Sequence, residues 1–541
     1  MGRVAKDHGM RKLTITALVL MLLAALTPIG RTDTNVLSIV HVDVTDLDDA
    51  MVGYLMTHFD ETHNHTAEYI ELLTWPGDMA ELDALGVPYE VEIEDLVAHD
   101  RALADAPHPT QVLPGPDLDD YRRLGDYYAE MEEIAKKNPG LVKHFKLKRQ
   151  SLEGRDMFGL EIAANVNHED GRPIFYMDAV HHAREWPAAE FTMMYAHYLT
   201  ESFGKDPKIT KLLKKARVIL VPVVNVDGFN YSRESVTAVN RDVDEAVEIG
   251  LSLGNGMESY WRKNRRSLTG VTVPEAQVNP DAYGVDPNRN YAYLWGDTMG
   301  GSSSDLHSQT YRGEAPFSEP EPSNVRDVIL SRSVTGIITN HTVQASVLRT
   351  GGGQAPDDKD LERIGGQMAK ILHFRNSPTV GYPTTGTTDD WAYAAMGAYG
   401  FTIEHGGTGF HCTYSECVGT PAERTMKAFN IMFDIAANPK YHSVLTGKVA
   451  GGNAKLTLSK TFKTPLSPGN PLGKEFVTEK LKMSIPTERN GSFEWHVGPS
   501  DRPYEKKAES YTLTITAGGK TKTMQVHVER GQKLNLGTIK L

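Results

Sequence analysis

A histidine and a glutamate three residues apart, His182 and Glu185, can bind one metal ion if the backbone turns between them. The same spacing occurs at residues 58–61 and 65–68, in a polar N-terminal stretch where we expect solvated helix faces. The pair at His182 instead follows an apolar run, residues 174–180, of the kind that forms a buried strand. A helical pattern of apolar residues comes next. The pair therefore lies at a strand-to-helix junction, where open α/β sheets bind their ligands.

A third metal donor is needed, because catalytic zinc sites usually take three protein donors and leave a fourth position for water. His341 ends a second apolar run, residues 336–340, and is the best third donor. His181 competes with its neighbour His182 for the first position. A lone histidine after a strand is ordinarily structural, so the choice depends on the motifs that accompany it.

Four further motifs follow in order along the chain. They are Trp-Arg-Lys-Asn-Arg at residues 261–265, Val-Asp-Pro-Asn-Arg-Asn at 285–290, Gly-Thr-Thr-Asp-Asp-Trp-Ala-Tyr at 386–393 and Phe-Thr-Ile-Glu at 401–404. Together with the histidine motif, this ordered set resembles the zinc metallocarboxypeptidases of the carboxypeptidase A/B family, over roughly residues 118–438. The resemblance implies an exopeptidase with one Zn²⁺ per chain that acts on the C-termini of peptides and proteins, and the N-terminal features described below predict that it is secreted.

The resemblance also assigns a role to individual side chains. They are the zinc ligands His182, Glu185 and His341, the catalytic residues Glu404 and Arg262, and the substrate-binding residues Arg184, Asn288, Arg289, Tyr382 and Asp389. It selects His182 over His181, because the family's ligand stands three residues before the glutamate.

The chemistry of these residue types agrees with the assigned roles. Zinc held by two imidazoles and a carboxylate lowers the pKa of a bound water toward about 7. Glu404 can take the proton of that water and deliver it to the leaving amine, while Arg262 faces the developing oxyanion. Arg289, with Asn288, can pair with a planar carboxylate through two parallel hydrogen bonds. Without the other motifs, Arg289 would be read as a surface ion pair.

Asp389 lies where the family has the base of its specificity pocket. An acidic residue there implies a preference for C-terminal Lys or Arg. Thr402 is small and polar, so the pocket can also admit apolar side chains and give broad specificity. The alternative is that Asp389 caps the following helix, with its carboxylate turned away from the pocket.

Two features depart from the family pattern. About 25 residues, around 232–257, are inserted before the Trp-Arg-Lys motif, which leaves the rim of the cleft undefined there. Thr342 and Val343 replace the Ser-Tyr that many relatives have after the third ligand, which affects the outer substrate subsites. Neither feature changes a predicted metal ligand or the predicted base.

The chain begins with features of a signal peptide, predicted over residues 1–32: a basic pair at 11–12 and an apolar run at 13–26. An uncleaved anchor is the alternative. We expect no other membrane span. The two cysteines, Cys412 and Cys417, are close in sequence and predict a small disulfide loop in an exported protein, with free thiols as the alternative.

Residues 35–98 predict a small α/β domain, with strands at 36–42 and 89–93 and a helical pattern between them. Its position resembles the family's activation domain, which covers the cleft until an activating protease removes it. An accessory domain that is never cleaved is the alternative. A proline-rich linker is predicted at 99–117.

Residues 118–438 predict the catalytic domain, an α/β/α sandwich with a mixed sheet. Residues 440–541 predict an all-β sandwich with a hairpin near residues 511–528 and a structural or surface-attachment role. The fold class is therefore α/β with an N-terminal α/β pro-domain and a C-terminal β-sandwich.

The net charge of −13 over 541 residues argues against nucleic acid as a partner, and we expect a monomer. Three classes of function remain. They are a zinc exopeptidase, a related zinc acyl hydrolase or wall-peptide endopeptidase, and a metal-free binding module. The motifs that recognise a free C-terminus favour the first, and the complete ligand set argues against the last.

Overall fold

The computed structural model describes residues 36–104, 121–239, 256–268, 284–297, 301–380 and 383–541. The predicted signal peptide, the linker prolines and Tyr382 lie outside these ranges. Within them, no helix combines the length and apolar character needed to cross a bilayer.

The N-terminal domain contains an antiparallel sheet in the order β2-β3-β1-β4, accompanied by three helices. Its elements are β1 Ser38–Asp43, α1 Asp49–His58, β2 Asp60–His65, β3 Tyr69–Thr74, α2 Asp78–Leu85, β4 Tyr89–Ile93 and α3 Leu96–Ala104. The structure thus has strands at both predicted positions, and adds two strands in the stretch that the sequence indicated as helical.

Two predictions for this region are wrong. His58 ends a helix, but Glu61 and His65 lie on strand β2, with Glu61 buried, so these histidine-glutamate spacings are not solvated helix faces. Strand β2 has the polar sequence Asp-Glu-Thr-His-Asn-His at a sheet edge, so it has no apolar alternation to reveal it. The linker also does not begin at residue 99, because α3 continues to Ala104 with Leu96 and Val97 buried.

The catalytic region is built on an eight-stranded mixed sheet in the order β11-β10-β12-β9-β7-β8-β6-β5. Its strands are β5 Val142–Lys146, β6 Phe158–Ile162, β7 Ile174–Ala179, β8 Arg217–Val221, β9 Val334–Val343, β10 Ser346–Arg349, β11 Arg375–Ser377 and β12 Tyr399–Gly406. The central strands β7 and β8 are buried along their whole length. This explains why they are nearly continuous apolar runs.

Helices pack against this sheet and supply the rest of the catalytic core. They are α4 Leu124–Lys137, α5 Trp186–Ser202, α6 Pro207–Lys215, α7 Val226–Val239, α8 Pro320–Ser331, α9 Asp358–Leu372, α10 Thr388–Met396 and α11 Ala422–Ala436. The first part of the predicted insertion continues α7 to Val239, and residues 240–255 lie outside the described ranges. The mixed-sheet α/β sandwich is therefore confirmed.

The C-terminal region forms two further sheets, of orders β16-β13-β19 and β15-β14-β17-β18. Its strands are β13 Ser443–Val449, β14 Lys455–Pro465, β15 Phe476–Pro486, β16 Ser492–Val497, β17 Tyr511–Ala517, β18 Lys520–Val526 and β19 Lys533–Ile539. The predicted hairpin is present, with Ala517 paired to Lys520 across its turn. Buried and exposed residues alternate along β14 and β15, as expected for sheets with one face in a core.

Candidate active site

Three side chains that could hold a metal ion meet at the carboxyl end of the central strands. His182 and Glu185 lie in the turn between β7 and α5, with His182 Nδ1 2.7 Å from Glu185 Oε1. His341, on β9, places its Nδ1 3.2 Å from His182 Nδ1 and 2.9 Å from Glu185 Oε2. All three residues are buried. Two imidazoles and a carboxylate that converge on one point are the donor set of a catalytic zinc site, so these residues fit the ion.

His181, the rival ligand, points to a different part of the site. Its Nε2 lies 2.9 Å from the Tyr291 hydroxyl and 2.8 Å from Thr388 Oγ1. Within the part of the chain that the structure describes, the cluster of metal-binding groups comprises the other two histidines and Glu185. The geometry therefore agrees with the choice of His182.

Asp286 organises the site, although no local sequence pattern predicted a role for it. Its Oδ1 lies 3.2 Å from His182 Nε2 and accepts a hydrogen bond from the Asn288 backbone N–H, at 2.8 Å. Arg262 Nη2 donates to its Oδ2, also at 2.8 Å. Burial would raise the pKa of Asp286, but Arg262 and His182 hold it well below its usual range. A carboxylate behind a ligand imidazole orients the ring and makes it a better donor.

Asp286 had one usable signal in the sequence. It is an acidic residue directly before Pro-Asn-Arg, and in the structure it caps the short 3₁₀ helix Pro287–Arg289. Its contact with His182 spans 104 residues, which no local pattern could reveal.

Glu404 lies beside His341, the third predicted ligand. It is on β12, which runs parallel to β9, and its Cα is paired in register with that of His341. Glu404 is buried and lines a cavity of about 470 Å³ together with His182, Asn288 and Arg289. Parallel pairing thus brings the predicted base and a predicted ligand to the same edge of the sheet.

The Asn288–Arg289 pair lines the same cavity. Asn288 Oδ1 accepts hydrogen bonds from the Thr388 backbone N–H, at 3.0 Å, and from Thr388 Oγ1, at 3.1 Å. Arg289 Nη1 donates to the Asn288 carbonyl at 3.0 Å. The link to Thr388 joins this turn to helix α10, which carries Asp389.

Asp389 lies in the first turn of α10 and lines the same cavity. The N-cap position of that helix is Thr387, so Asp389 is not its N-cap residue. Burial raises the pKa of Asp389. Its neighbour Asp390 accepts from the Gly351 N–H at 2.7 Å, and burial together with Asp389 raises the pKa of Asp390 to about 7. Two carboxyl groups thus adjoin one end of the cavity.

Arg184 is already bound to a carboxylate in this structure, and that carboxylate belongs to the N-terminal domain. Its Nη1 lies 2.5 Å from Asp60 Oδ2 and its Nη2 lies 2.7 Å from Asp60 Oδ1. Both side chains are buried, and the guanidinium lies over the Phe410 ring at 4.2 Å. Trp75 donates its indole N–H to Asp60 Oδ2 at 3.1 Å, which fixes the carboxylate.

The two cysteines form a disulfide, as predicted, so the free-thiol alternative is wrong. The Tyr121 hydroxyl donates to the carbonyl of Cys412, at 2.7 Å. The bridged loop therefore contacts the first described residue of the catalytic region.

Comparisons with known proteins agree with this geometry. A family model described as zinc carboxypeptidase matches residues 127–425, more than half of the chain. Carboxypeptidase A2 of Mus musculus is 30% identical over 345 residues, which cover 61% of this chain and 74% of that protein. Carboxypeptidase B of Homo sapiens is 25% identical over 337 residues, covering 59% and 71%.

Among solved structures, carboxypeptidase A from Helicoverpa armigera superposes with a TM-score of 0.59 at 23% identity. The superposition covers 74% of this chain and 98% of that one. The chain belongs to the zinc carboxypeptidase family. It is a metallocarboxypeptidase of the A/B type, a hydrolase.

Proposed function

We propose that this enzyme is a secreted exopeptidase that releases the C-terminal residue of peptides and proteins, with Glu404 as its general base. The observation that carries the proposal is the convergence of His182, Glu185 and His341 at the edge of the sheet where Glu404 lies. Zinc bound there would polarise the scissile carbonyl and activate a water molecule. Glu404 accepts the proton of the attacking water and returns it to the leaving amine.

Arg262 stabilises the developing negative charge, and Asp286 holds Arg262 in position. Arg262 is buried and donates to Asp286, so its guanidinium is held in place before substrate arrives. A donor fixed in this way costs no reorganisation when the tetrahedral oxyanion forms, and removing one such donor typically costs about 100- to 1000-fold in rate.

Arg289 and Asn288 bind the free carboxylate of the substrate. Both line the cavity that Glu404 also lines. A guanidinium fork matches a planar carboxylate, whereas an amidated C-terminus offers it no charge. The family resemblance adds Tyr382, which would cover the bound substrate.

Asp389 selects the C-terminal side chain. It lines the cavity together with Asp390 and Thr402. A Lys or Arg side chain that enters this cavity brings a cation to the buried carboxyl group of Asp389 and the half-buried one of Asp390. We therefore propose a preference for basic C-terminal residues, with apolar residues also accepted past Thr402.

The N-terminal domain keeps the uncut chain inactive. Its Asp60 is paired with the guanidinium of Arg184, a residue to which the family resemblance assigns substrate binding. Leu348 and Val380 line the cavity and also pack into the apolar cluster of the N-terminal domain. Cleavage by an activating protease between residues 105 and 120 would free this surface. Export by the predicted signal peptide agrees with the disulfide, and we propose that the enzyme acts as a monomer.

The decisive experiment is Glu404→Gln with a peptide mixture as substrate. We expect single C-terminal amino acids from the native enzyme, and less than about 1% of that rate from the variant, because a general base typically contributes 100- to 10,000-fold. Zinc content, measured by mass spectrometry, should stay at one ion per chain in both.

Glu416→Gln, at an exposed position, is the matched control and should keep full activity. Internal cleavage or deacylation without release of C-terminal residues would favour the acyl hydrolase or endopeptidase alternative. A native chain that binds no zinc would favour the binding-module alternative.

A further inference from the structure

We propose that the C-terminal β-sandwich forms part of the substrate pocket, and that its Tyr504 is a specificity-determining residue for the C-terminal side chain. The inference rests on the proposed exopeptidase activity. Tyr504 belongs to the loop between β16 and β17, yet it lines the cavity that also contains Asp389 and Glu404. The pocket is therefore shared between two regions that are about 100 residues apart in sequence.

Tyr504 is part of an aromatic wall. Its ring stacks on that of Tyr293 with centroids 5.1 Å apart and an angle of 16° between the planes. Its edge contact with Tyr393 has a centroid distance of 5.7 Å and an angle of 79°. Tyr293 lies in the chain just after Arg289, and Tyr393 lies on α10 with Asp389. The wall thus joins the turn that carries Asn288 and Arg289 to helix α10, which carries Asp389.

The glycine at position 351 leaves room for this tyrosine. Gly351 has φ +81°, and a Cβ there would lie 2.5 Å from the Tyr504 hydroxyl oxygen and 2.8 Å from Ala355 Cβ. A side chain at this position would meet Tyr504 of the C-terminal domain and Ala355 of the catalytic region, and the positive φ also disfavours any residue other than glycine. This part of the pocket rim therefore receives its side chain from another domain instead of from its own loop.

The loop that carries Tyr504 is fixed at both ends. At its start, a Cβ on Gly498 would lie 2.1 Å from the carbonyl oxygen of Met396, at the end of α10. Within the loop, Arg502 pairs with Glu509 at 2.9 Å, and Lys460 donates to Glu509 at 3.2 Å. A side chain on such a support is held in one orientation before substrate arrives, as a specificity residue must be.

The chemistry of this wall fits a long side chain with an apolar stem. The rings of Tyr293 and Tyr504 line the cavity, so they can contact methylene groups and attract a cation, while Asp389 and Asp390 accept its charge. Lys and Arg have both features, and Phe has the apolar one. The side chain of Ala is too short to contact the rings or the carboxyl groups. The wall should therefore favour long C-terminal side chains over short ones.

The test compares kcat/KM for otherwise identical peptides ending in Lys, Arg, Phe and Ala. It uses the full-length chain, both uncut and cut between residues 105 and 120. Tyr504→Ala should lower kcat/KM for Lys, Arg and Phe about tenfold relative to Ala, the scale of one or two methylene contacts. The loss should appear mainly in KM. Tyr504→Phe keeps the ring and should stay within about twofold of the native ratios.

Phe476→Ala is the matched control, because it truncates an aromatic residue of the same domain that does not line the cavity. It should leave every ratio unchanged. If Tyr504→Ala does not fold, Tyr504→Leu replaces it and should give a smaller loss in the same direction. Unchanged ratios in a folded Ala or Leu variant would overturn the proposal.

Calorimetric binding of acetyl-lysine provides a readout without turnover. Tyr504→Ala should weaken this binding about as much as it raises KM. If the variant weakens acetyl-lysine binding while the native chain hydrolyses no peptide, the exopeptidase proposal fails and the pocket assignment stands. If Asp389→Ile leaves the ratios unchanged but Tyr504→Ala alters them, only the role of Asp389 is wrong. Unchanged acetyl-lysine binding would overturn the pocket assignment.

Discussion

The N-terminal and C-terminal domains contact the catalytic region through surfaces of different composition. The N-terminal domain has two small apolar clusters of its own, which take in a few buried rim residues of the catalytic region. Around them the contacts are polar, such as Asp60 with Arg184 and the Thr57 carbonyl with Ser308 Oγ. The C-terminal domain instead shares one continuous apolar core with the catalytic sheet.

The hydrogen bonds across the two boundaries differ in the same way. Trp391, on the helix that carries Asp389, donates its indole N–H to Glu479 of the C-terminal domain at 3.1 Å. Trp495 of that domain donates to Ser333 Oγ at 3.0 Å, and both residues are buried. Buried polar groups of this kind lose their partners if the domains separate. The N-terminal domain is thus suited to leave the enzyme, and the C-terminal domain is suited to stay.

Deleting each domain in turn is the strongest way to break this comparison. A chain ending at Asn438 should not fold, because it exposes the apolar core that β14 and β17 cover, a loss of more than about 5 kcal/mol. A chain starting at Tyr121 should fold with native-like stability. Circular dichroism and thermal unfolding measure both, and a stable chain ending at Asn438 would show that the C-terminal domain is separable.

The ion pair between Asp60 and Arg184 tests the N-terminal side. Asp60→Ala leaves the Arg184 guanidinium buried without its partner, which typically costs about 3–5 kcal/mol. That cost falls on the docked state, so the uncut variant should gain at least about tenfold in activity. The rate of peptide hydrolysis before and after cleavage measures this.

Asp46→Asn is the control, because Asp46 is an exposed carboxylate of the same domain. It should leave the uncut chain as inactive as the native one. If the native uncut chain has full activity and cutting adds none, the N-terminal domain is an accessory domain and not a cover.

Glu479→Ala tests the C-terminal side on a smaller scale. Glu479 is buried and accepts from Trp391 Nε1 and from Thr464 Oγ1. Removing the carboxylate leaves these two buried donors without their acceptor, so the free energy of unfolding should fall by about 1–3 kcal/mol. Urea unfolding measures the loss.

The matched control is Glu488→Ala, on an exposed pair with His168 across the same boundary. It should change the free energy of unfolding by less than about 0.5 kcal/mol. Equal effects of the two changes would mean that the boundary is a surface contact and not part of the core.

The metal site could be predicted from sequence because each of its donors follows or ends a local apolar run. Residues 174–179 form β7 and lead directly into His182, while His341 and Glu404 lie inside β9 and β12. An apolar run predicts a buried strand, and parallel strands bring their carboxyl ends together. The family resemblance then favoured His182 over its neighbour His181 as the ligand.

The rest of the site depends on contacts between distant parts of the chain. Asp60 reaches Arg184 across 124 residues, from a polar edge strand that has no apolar pattern. Tyr504 reaches the pocket from a loop that resembles any other surface turn in sequence. No periodicity marks such a side chain, since its role arises only when two domains pack together.

The smallest expected effect concerns how pH changes the preference for basic residues. Burial raises the pKa of Asp389. The carboxyl group is therefore neutral below that raised pKa and charged above it. Only the charged form attracts Lys, so the ratio of kcat/KM for Lys over Phe should rise with pH. We expect a rise of about three- to tenfold as the pH increases through this titration. Taking the ratio cancels titrations that affect both substrates, such as those at the metal site.

The two domains should contribute unequally to this pH response. Tyr504 of the C-terminal domain helps bury the pocket, so Tyr504→Ala should lower the pKa of Asp389 and move the midpoint of the ratio to lower pH. Cutting between residues 105 and 120 should preserve the pH response. Asp389→Asn removes the charge and should give a ratio that changes much less with pH, with any remainder due to Asp390. A midpoint that moves on cutting, but not in Tyr504→Ala, would assign the burial of Asp389 to the N-terminal domain.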